Sequence, residues 1–313
     1  MSTWLVTGGY GFIGSNIVKE LIARGENVRV IDNLRTGRLV NLSGLEDKFK
    51  FYKNSILETT ALDESISGCD YVLHHAAMPS VQRSVEAPLT SNEQNVTGTL
   101  SVLEAARKAK VKRVVYAASS SAYGNQPEMY KHEEMRPMPL SPYAVSKLTG
   151  EYYMQCYYQC YGLETVCLRY FNVFGSNQDP NSEYSAVIPL FITKCLRGER
   201  PTIYGDGTQS RDFTYVLNNV TANILAATTT KNVAGEVFNI ACGTSFSLLD
   251  LLRDINAALK TDIEPIFAPA RKGDVKHSLA KIDKAKNLLG YDVKVDFKSG
   301  LEKSIDWYRE NCK

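Results

Sequence analysis

Tyr143 and Lys147 stand four residues apart in Ser141-Pro142-Tyr143-Ala144-Val145-Ser146-Lys147, and Pro142 suits the first turn of a helix, where its missing amide has no partner to lose. On a helix the two side chains share one face. An ammonium beside a phenol favours the phenolate, lowering a pKa that is about 10 in water and giving a base usable near neutral pH. In a chain with 18 tyrosines such a spacing arises readily by chance, so its weight comes from position. The helix it opens follows a fifth strand that ends in Ala117-Ala118-Ser119-Ser120-Ser121-Ala122-Tyr123-Gly124. Hydroxyls leaving the carboxyl end of a parallel strand lie where ligands bind in open α/β sheets.

A second cluster opens the chain. Thr7-Gly8-Gly9-Tyr10-Gly11-Phe12-Ile13-Gly14 follows a first strand directly and begins a first helix. Gly8 permits the tight turn, Gly11 lets backbone approach a pyrophosphate, Gly14 lets helix pack on strand, and the helix N-terminus faces the anion. Asp32 ends the second strand 18 residues after Gly14, near the spacing of an acid that accepts hydrogen bonds from an adenosine ribose. Together they predict a dinucleotide. A carboxylate at 32 repels a 2′-phosphate and favours NAD over NADP, with Arg35 and Arg38 close by as the feature that speaks for the phosphate.

The elements that must hold these groups follow from apolar rhythm. Trp4 to Thr7, Val28 to Ile31, Tyr71 to His74, Val114 to Ala117 and Thr165 to Leu168 read as strands, and stretches near 12–24, 91–109 and 143–161 as helices. That alternation predicts an α/β fold, a doubly wound parallel sheet of Rossmann type. After about residue 172 the rhythm breaks into loops and into helices near 187–197, 217–230, 247–259 and 299–311. The expected division is a Rossmann domain over 1–172 that also uses about 212–242, and a smaller α/β substrate-binding lobe over 173–313, with a shared cleft.

Bulk properties exclude other classes. With 44% hydrophobic residues among 313, the chain can bury one large core or two joined ones. A formal charge of +2, spread along the sequence, implies no field that would gather nucleic acid. No apolar stretch approaches the roughly 20 residues of a membrane span, and Met1 to Val6 lacks a basic segment followed by an apolar run, so a cytoplasmic place is expected. The seven cysteines form no CxxC pair; they read as thiols without a metal site, and Cys156 and Cys160, one helical turn apart, as packing residues.

At these residues the chain resembles the extended short-chain dehydrogenase/reductase family and, within it, the nucleotide-sugar 4-epimerases. The resemblance runs over nearly the whole length: TGGYGFIG at 7–14, DNLRTG at 32–37, HHAA at 74–77, NVTGT at 95–99, SSSAYG at 119–124, YAVSK at 143–147, RYFNVFG at 169–175 and GDGTQSRDF at 205–213. It implies Tyr143 as base, Lys147 on the nicotinamide ribose and Ser119 as the hydroxyl that contacts the sugar. For NAD it implies Gly8, Gly11, Phe12, Ile13, Asp32 and Asn33 at the adenosine end, and Ala76, Ala77 and Asn95 further along. After the third strand, where the family often places Asp before an apolar residue to contact adenine, Ser55-Ile56 stands.

Family members that dehydrate sugars carry Asp-Glu directly after the catalytic hydroxyl, the Asp acting as acid. Here Ser120-Ser121 follow; neither donates that proton at ordinary pH, so dehydration lacks its acid and both serines are expected against the sugar. The resemblance further implies Asn172 and Arg211 near a diphosphate, Ile203 and Tyr204 beside uracil, Ala186 and Val187 in contact with the substrate, and Arg271 with Asp274 in an R-x-G-D motif at the diphosphate and uridine ribose. Ser278 falls where the family bounds the sugar pocket, with tyrosine in enzymes restricted to unsubstituted hexoses, so a 2-acetamido group is expected to fit. Ser80 and Arg83 lie in a stretch resembling enzymes of N-acetylated UDP-hexoses, and Arg83 also suits a uronic acid. The expected reaction is C4 epimerisation of a UDP-sugar with recycled NAD. A sugar-nucleotide dehydrogenase or decarboxylase is the competing reading, and a non-catalytic NAD sensor the more distant one. A homodimer is expected through 91–109 and 143–161, where Tyr152-Tyr153-Met154-Gln155-Cys156-Tyr157-Tyr158 offers more apolar area than one subunit covers.

Overall fold

A computed structural model of the protein describes residues 1–180, 186–270 and 277–312. Seven strands form one sheet: β1 (Thr3–Thr7), β2 (Asn27–Ile31), β3 (Phe49–Tyr52), β4 (Tyr71–His74), β5 (Arg113–Ser119), β6 (Glu164–Tyr170) and β7 (Glu236–Ile240). All pair in parallel, in the order β7-β6-β5-β4-β1-β2-β3. The order reverses between β1 and β4, and the crevice above their carboxyl ends is where such sheets bind ligands.

Both faces of the sheet are covered, which is why its central strands are apolar throughout rather than alternating. On one face α1 (Phe12–Ala23) and α6 (Val216–Thr228) set Ile17, Leu21 and Val220 against Val6, Val30, Val115 and Leu168. On the other, α2 (Thr59–Ile66), α3 (Gly98–Lys108) and α4 (Pro142–Tyr161) set Leu62, Leu103 and Met154 against Leu5, Val72 and Val114. Each of these fully buried aliphatic side chains contributes roughly 1.5–3 kcal/mol.

The five strands read from the sequence are present, four of them longer by one to three residues. Two were not listed. β3 is a half-buried edge strand of only four residues, and β7 arrives after the rhythm has broken, yet pairs with β6 along its whole length. The helix expected over 91–109 is three pieces: a short helix over Pro88–Asn92, a wide π turn over Glu93–Thr97, and α3. The turn carries Asn95 inward, and Gly98 follows it because a Cβ there would strike the buried Ile56 side chain.

A third hydrophobic cluster is built from α5 (Val187–Leu196), α7 (Leu248–Leu259) and α8 (Phe297–Asn311) around Phe174, Phe213, Ile203 and Phe297. Phe297 stacks on Phe246 at 4.1 Å and on Phe213 at 5.6 Å. A reciprocal cap between Ser247 and Asp250 starts α7. Ser210–Arg211 pairs with His277–Ala280, which in turn pairs with Tyr130–Lys131. No described helix is long and apolar enough to cross a membrane. All seven cysteines are free thiols. Cys156 and Cys160 do not pack inward as expected: both are exposed on α4, with sulfurs 3.8 Å apart.

Candidate active site

The glycine loop is shaped for a close approach. Gly8 adopts φ +69°, and a Cβ there would come within 2.8 Å of the Ala76 amide nitrogen, while one at Gly14 would overlap the Gly8 carbonyl. Gly11 caps α1 with no side chain over its first turn, so the amides there face outward as a phosphate site requires. Phe12 and Ile13, the first two residues of α1, lie against the apolar clusters instead. At the end of β2 the buried Asp32 carboxylate accepts from the Tyr10 amide at 2.9 Å and the Leu34 amide at 2.8 Å. Burial raises its pKa and the two amides pull it back. Each oxygen keeps a lone pair for a ribose hydroxyl. Exposed Asn33 turns its side chain to the Arg35 amide. These features fit NAD.

Ser55 accepts from the Leu57 amide at 3.2 Å, closing the turn after β3, and Ile56 is buried. Ala76 and Ala77 are partly exposed beside the glycine loop.

A buried hydrogen-bond chain joins that loop to the catalytic helix. Thr7 Oγ1 accepts from the His75 and Ala76 amides and donates to His74 Nδ1 at 2.8 Å. The Thr99 hydroxyl donates to the Asn95 carbonyl at 2.6 Å, so it accepts from His74 Nε2 at 3.0 Å. The chain therefore requires a neutral ring protonated at Nε2, and burial holds His74 well below its usual pKa. Asn95 accepts from the Met78 amide at 2.7 Å and donates to Ser146 at 2.9 Å, and Ser146 donates to the Tyr143 carbonyl at 2.8 Å. Asn95 thus positions the wall of the site with its side chain committed to protein partners. The motifs HHAA and NVTGT carried these residues, but nothing in their types revealed that His74 and Thr99 meet.

At the carboxyl end of β5, the Ser121 hydroxyl donates to Ser119 Oγ at 2.9 Å and the Ser121 amide adds a bond at 3.2 Å. Ser119 is also the side chain whose influence draws the pKa of the Tyr143 phenol down. Ser120 lies beside them, partly exposed. Ser141 caps α4, Pro142 follows, and the Tyr143 amide donates to the fully buried Ser84 hydroxyl at 3.0 Å. Lys147 is buried one turn on, donating to the Ala117 carbonyl at 2.8 Å and lying 4.7 Å from the centre of the Tyr116 ring. The lowering of the phenol expected from the lysine is not what this arrangement gives. Burial pushes Tyr143 up and Ser119 draws it back, while burial brings Lys147 down to about 8. The ammonium is directed at a carbonyl and a ring face instead.

A cleft of about 300 Å³ begins at Asn172, just past the carboxyl end of β6. Asn172, Ala186, Val187, Tyr204 and Arg211 line it, with Phe174, Leu190, Phe191, Phe213 and Leu248 as an apolar wall that sequence reasoning missed. Those wall residues are ordinary core types, and only the fold distinguishes a lining side chain from a packed one. Asn172 holds a positive φ of 34° and donates to the Asp212 carbonyl at 3.1 Å. Ile203 is a correction: its side chain is buried in the third hydrophobic cluster, and its neighbours Thr202 and Tyr204 face the cleft. Ser278 pairs in register with Arg211 and is partly exposed. Ser80 caps the short helix Val81–Glu86, accepting from the Arg83 amide at 3.2 Å. Arg271 and Asp274 lie outside the described residues. Among the described residues no group of three or more His, Cys, Asp or Glu is placed to hold a metal ion.

Sheet, glycine loop and Ser-Tyr-Lys corner define a dinucleotide-dependent α/β enzyme. Residues 4–241 match the model of the NAD-dependent epimerase/dehydratase family, and the chain belongs to that family; its cofactor is NAD. The chain is 39% identical over 310 residues to a putative UDP-glucose 4-epimerase of Methanocaldococcus jannaschii, covering 98% of each chain. Its structure is similar to that of a UDP-N-acetylglucosamine 4-epimerase from Methanobrevibacter ruminantium in complex with UDP-N-acetylmuramic acid, with TM-score 0.95, 39% identity and 99% of each chain covered. It is also similar to a UDP-glucuronic acid 4-epimerase from Bacillus cereus in complex with UDP-glucuronic acid and NAD, with TM-score 0.91, 32% identity and 99% coverage of both.

Proposed function

We propose that the protein is an NAD-dependent UDP-sugar 4-epimerase whose preferred substrates are UDP-N-acetylglucosamine and UDP-N-acetylgalactosamine, with UDP-glucose and UDP-galactose as further substrates. The hydrogen-bonded Ser121–Ser119 pair at the end of β5, grouped with Tyr143 and Lys147 at the start of α4, carries the reaction assignment. As its phenolate, Tyr143 takes the proton of the sugar 4-hydroxyl and becomes the neutral phenol, with Ser119 holding the oxygen and Ser121 holding Ser119. Lys147 would hold the nicotinamide ribose, Asp32 the adenosine ribose and the first turn of α1 the pyrophosphate. Bound NAD supplies hydride chemistry, accepting a hydride from C4 and returning it. The 4-keto sugar turns over in the pocket between the two transfers. The apolar wall around Phe213 and Leu248 takes the base, and Arg211 suits a diphosphate because its planar fork donates two bonds at once.

The N-acetyl preference rests on Ser278, a small residue paired with the cleft-lining Arg211. A second reading has one observation in its favour. Arg83 rides on the short helix whose Ser84 accepts the Tyr143 amide, which puts this cation on the helix that meets the start of α4, and a cation there would suit a UDP-glucuronic acid or an N-acetylhexosaminuronate. Incubation with UDP-N-acetylglucosamine, UDP-glucose and UDP-glucuronate, resolving C4 epimers, decides between them. The expected result is fastest epimerisation of the N-acetylated sugar without sustained growth of absorbance near 340 nm. Sustained NADH formation would instead mark a dehydrogenase.

The same reading includes a homodimer through α3 and α4. Val145 is 49% and Tyr152 55% exposed on α4, and Val85 and Leu89 stand out beside them, an apolar strip of the kind that a second subunit covers. Light scattering at micromolar concentration should give twice the chain mass. A monomer would remove this part of the proposal.

A further inference from the structure

Tyr143, Lys147 and Glu151 follow one another at intervals of four along α4, and the third has no part in the chemistry just described. Glu151 and Arg169, from β6, are both buried, 2% and 4% exposed. Arg169 Nε bridges both carboxylate oxygens at 3.0 and 3.2 Å, Nη2 adds a bond at 2.7 Å, and the guanidinium lies 4.7 Å from the centre of the Tyr123 ring. A pair so deep is a doubtful source of stability, because desolvation offsets its attraction. Its place one turn behind the catalytic lysine gives it another use.

We infer that Glu151 is a positioning residue that keeps Lys147 in its ammonium form inside a dry site, with Arg169 fixing the carboxylate in place. The inference rests on the reading of Tyr143 and Lys147 as the catalytic pair. Burial works against the ammonium, and Glu151 is the leading influence in its favour. The other ionisable groups that face Lys147 do not replace it. On β6, burial keeps the Cys167 thiol neutral, and Arg169 is a cation already paired. On β5, Tyr116 offers a neutral ring face. On β4 and just beyond it, His74 and His75 are held neutral, and Lys147 itself opposes their protonation. On its own helix, Tyr143 has its phenol pushed up by burial, so outside its phenolate working form it adds no negative charge. An ammonium with a pKa near 8 is lost as pH rises through that value, so removal of Glu151 moves the loss to lower pH.

Removing Glu151 alone strands Arg169 as a buried charge and endangers the fold. The test therefore uses the double variant Glu151→Gln with Arg169→Met, checked for wild-type melting and bound NAD. Lysines labelled with ¹³C at Cε are titrated by NMR, and the Lys147 signal is identified by its loss in Lys147→Met. The expected result is a Lys147 midpoint at lower pH in the double variant, together with kcat at about pH 8.5 falling roughly 5- to 10-fold relative to its own value at neutral pH, beyond the wild-type decline. An unchanged midpoint in a folded double variant overturns the inference. The NMR titration does not depend on turnover. A shifted midpoint in a protein that epimerises no UDP-sugar would leave the role of Glu151 standing and remove the proposed function.

Discussion

The proposed catalytic corner and the cleft proposed to take the nucleotide are built by opposite means. In the corner the key polar side chains are committed: Ser121 to Ser119, Lys147 to the Ala117 carbonyl, Asn95 to Met78 and Ser146. The cleft is walled by Phe174, Phe191, Phe213 and Leu248, brought from separate chain segments, with Asn172, Thr202, Tyr204, Gln209 and Arg211 as its polar groups. Chemistry needs atoms held to a fraction of an ångström, which networks of satisfied hydrogen bonds supply. Holding a base and a diphosphate needs mainly area and charge. Changes in the corner should therefore act on kcat, and changes in the cleft on KM.

The largest effect should come from Tyr143→Phe. It keeps the fold and bound NAD but loses a proton acceptor, so kcat should fall on the order of 10² to 10⁴; activity within a few-fold of wild type would discard the tyrosine as base. Asp32→Asn comes next. Hydrogen bonds to a charged group are worth about 1.5–3 kcal/mol, so NAD affinity, read from nucleotide retained after dialysis, should weaken roughly 10- to 150-fold. Unchanged retention would mean that Asp32 serves the Tyr10 and Leu34 amides alone.

Ser278→Tyr sharpens the contrast between sugars. Overpacking costs typically about 1 to 3 kcal/mol, so kcat/KM for UDP-N-acetylglucosamine should drop roughly 5- to 150-fold relative to that for UDP-glucose. An unchanged ratio would show that this position does not bound the pocket. The smallest effect is expected at Tyr204→Ala, on the exposed side of the cleft: KM should rise several-fold with kcat nearly constant. A fall in kcat without a change in KM would break the division between corner and cleft.

The same division governs what the sequence made legible. The glycine loop, Asp32 and the Tyr143–Lys147 pair were readable because each is a local spacing that one turn or one helix converts into geometry. β7 was not, since it depends on pairing with a strand far back in the chain, and neither was the His74–Thr99 contact, which depends on the face that α3 turns to the end of β4. Ile203 shows the limit on the other side. A motif places Ile203-Tyr204 at the cleft, but strand alternation sends one side chain to the core and the other outward. The charge state of the pair was misread for a related reason. Spacing puts a lysine on the face of a tyrosine, whereas burial and the Ala117 carbonyl decide what each does to the other.

The central claim is that a hydride leaves C4 and returns to the same carbon while Tyr143 handles the proton. UDP-N-acetylglucosamine carrying deuterium at C4, incubated with the enzyme in ordinary water, tests this most directly. Mass spectrometry and NMR of both epimers at equilibrium should find the deuterium still on C4 and no free reduced nucleotide. Loss of the label to water, or its appearance in released NADH without formation of the epimer, would contradict the account.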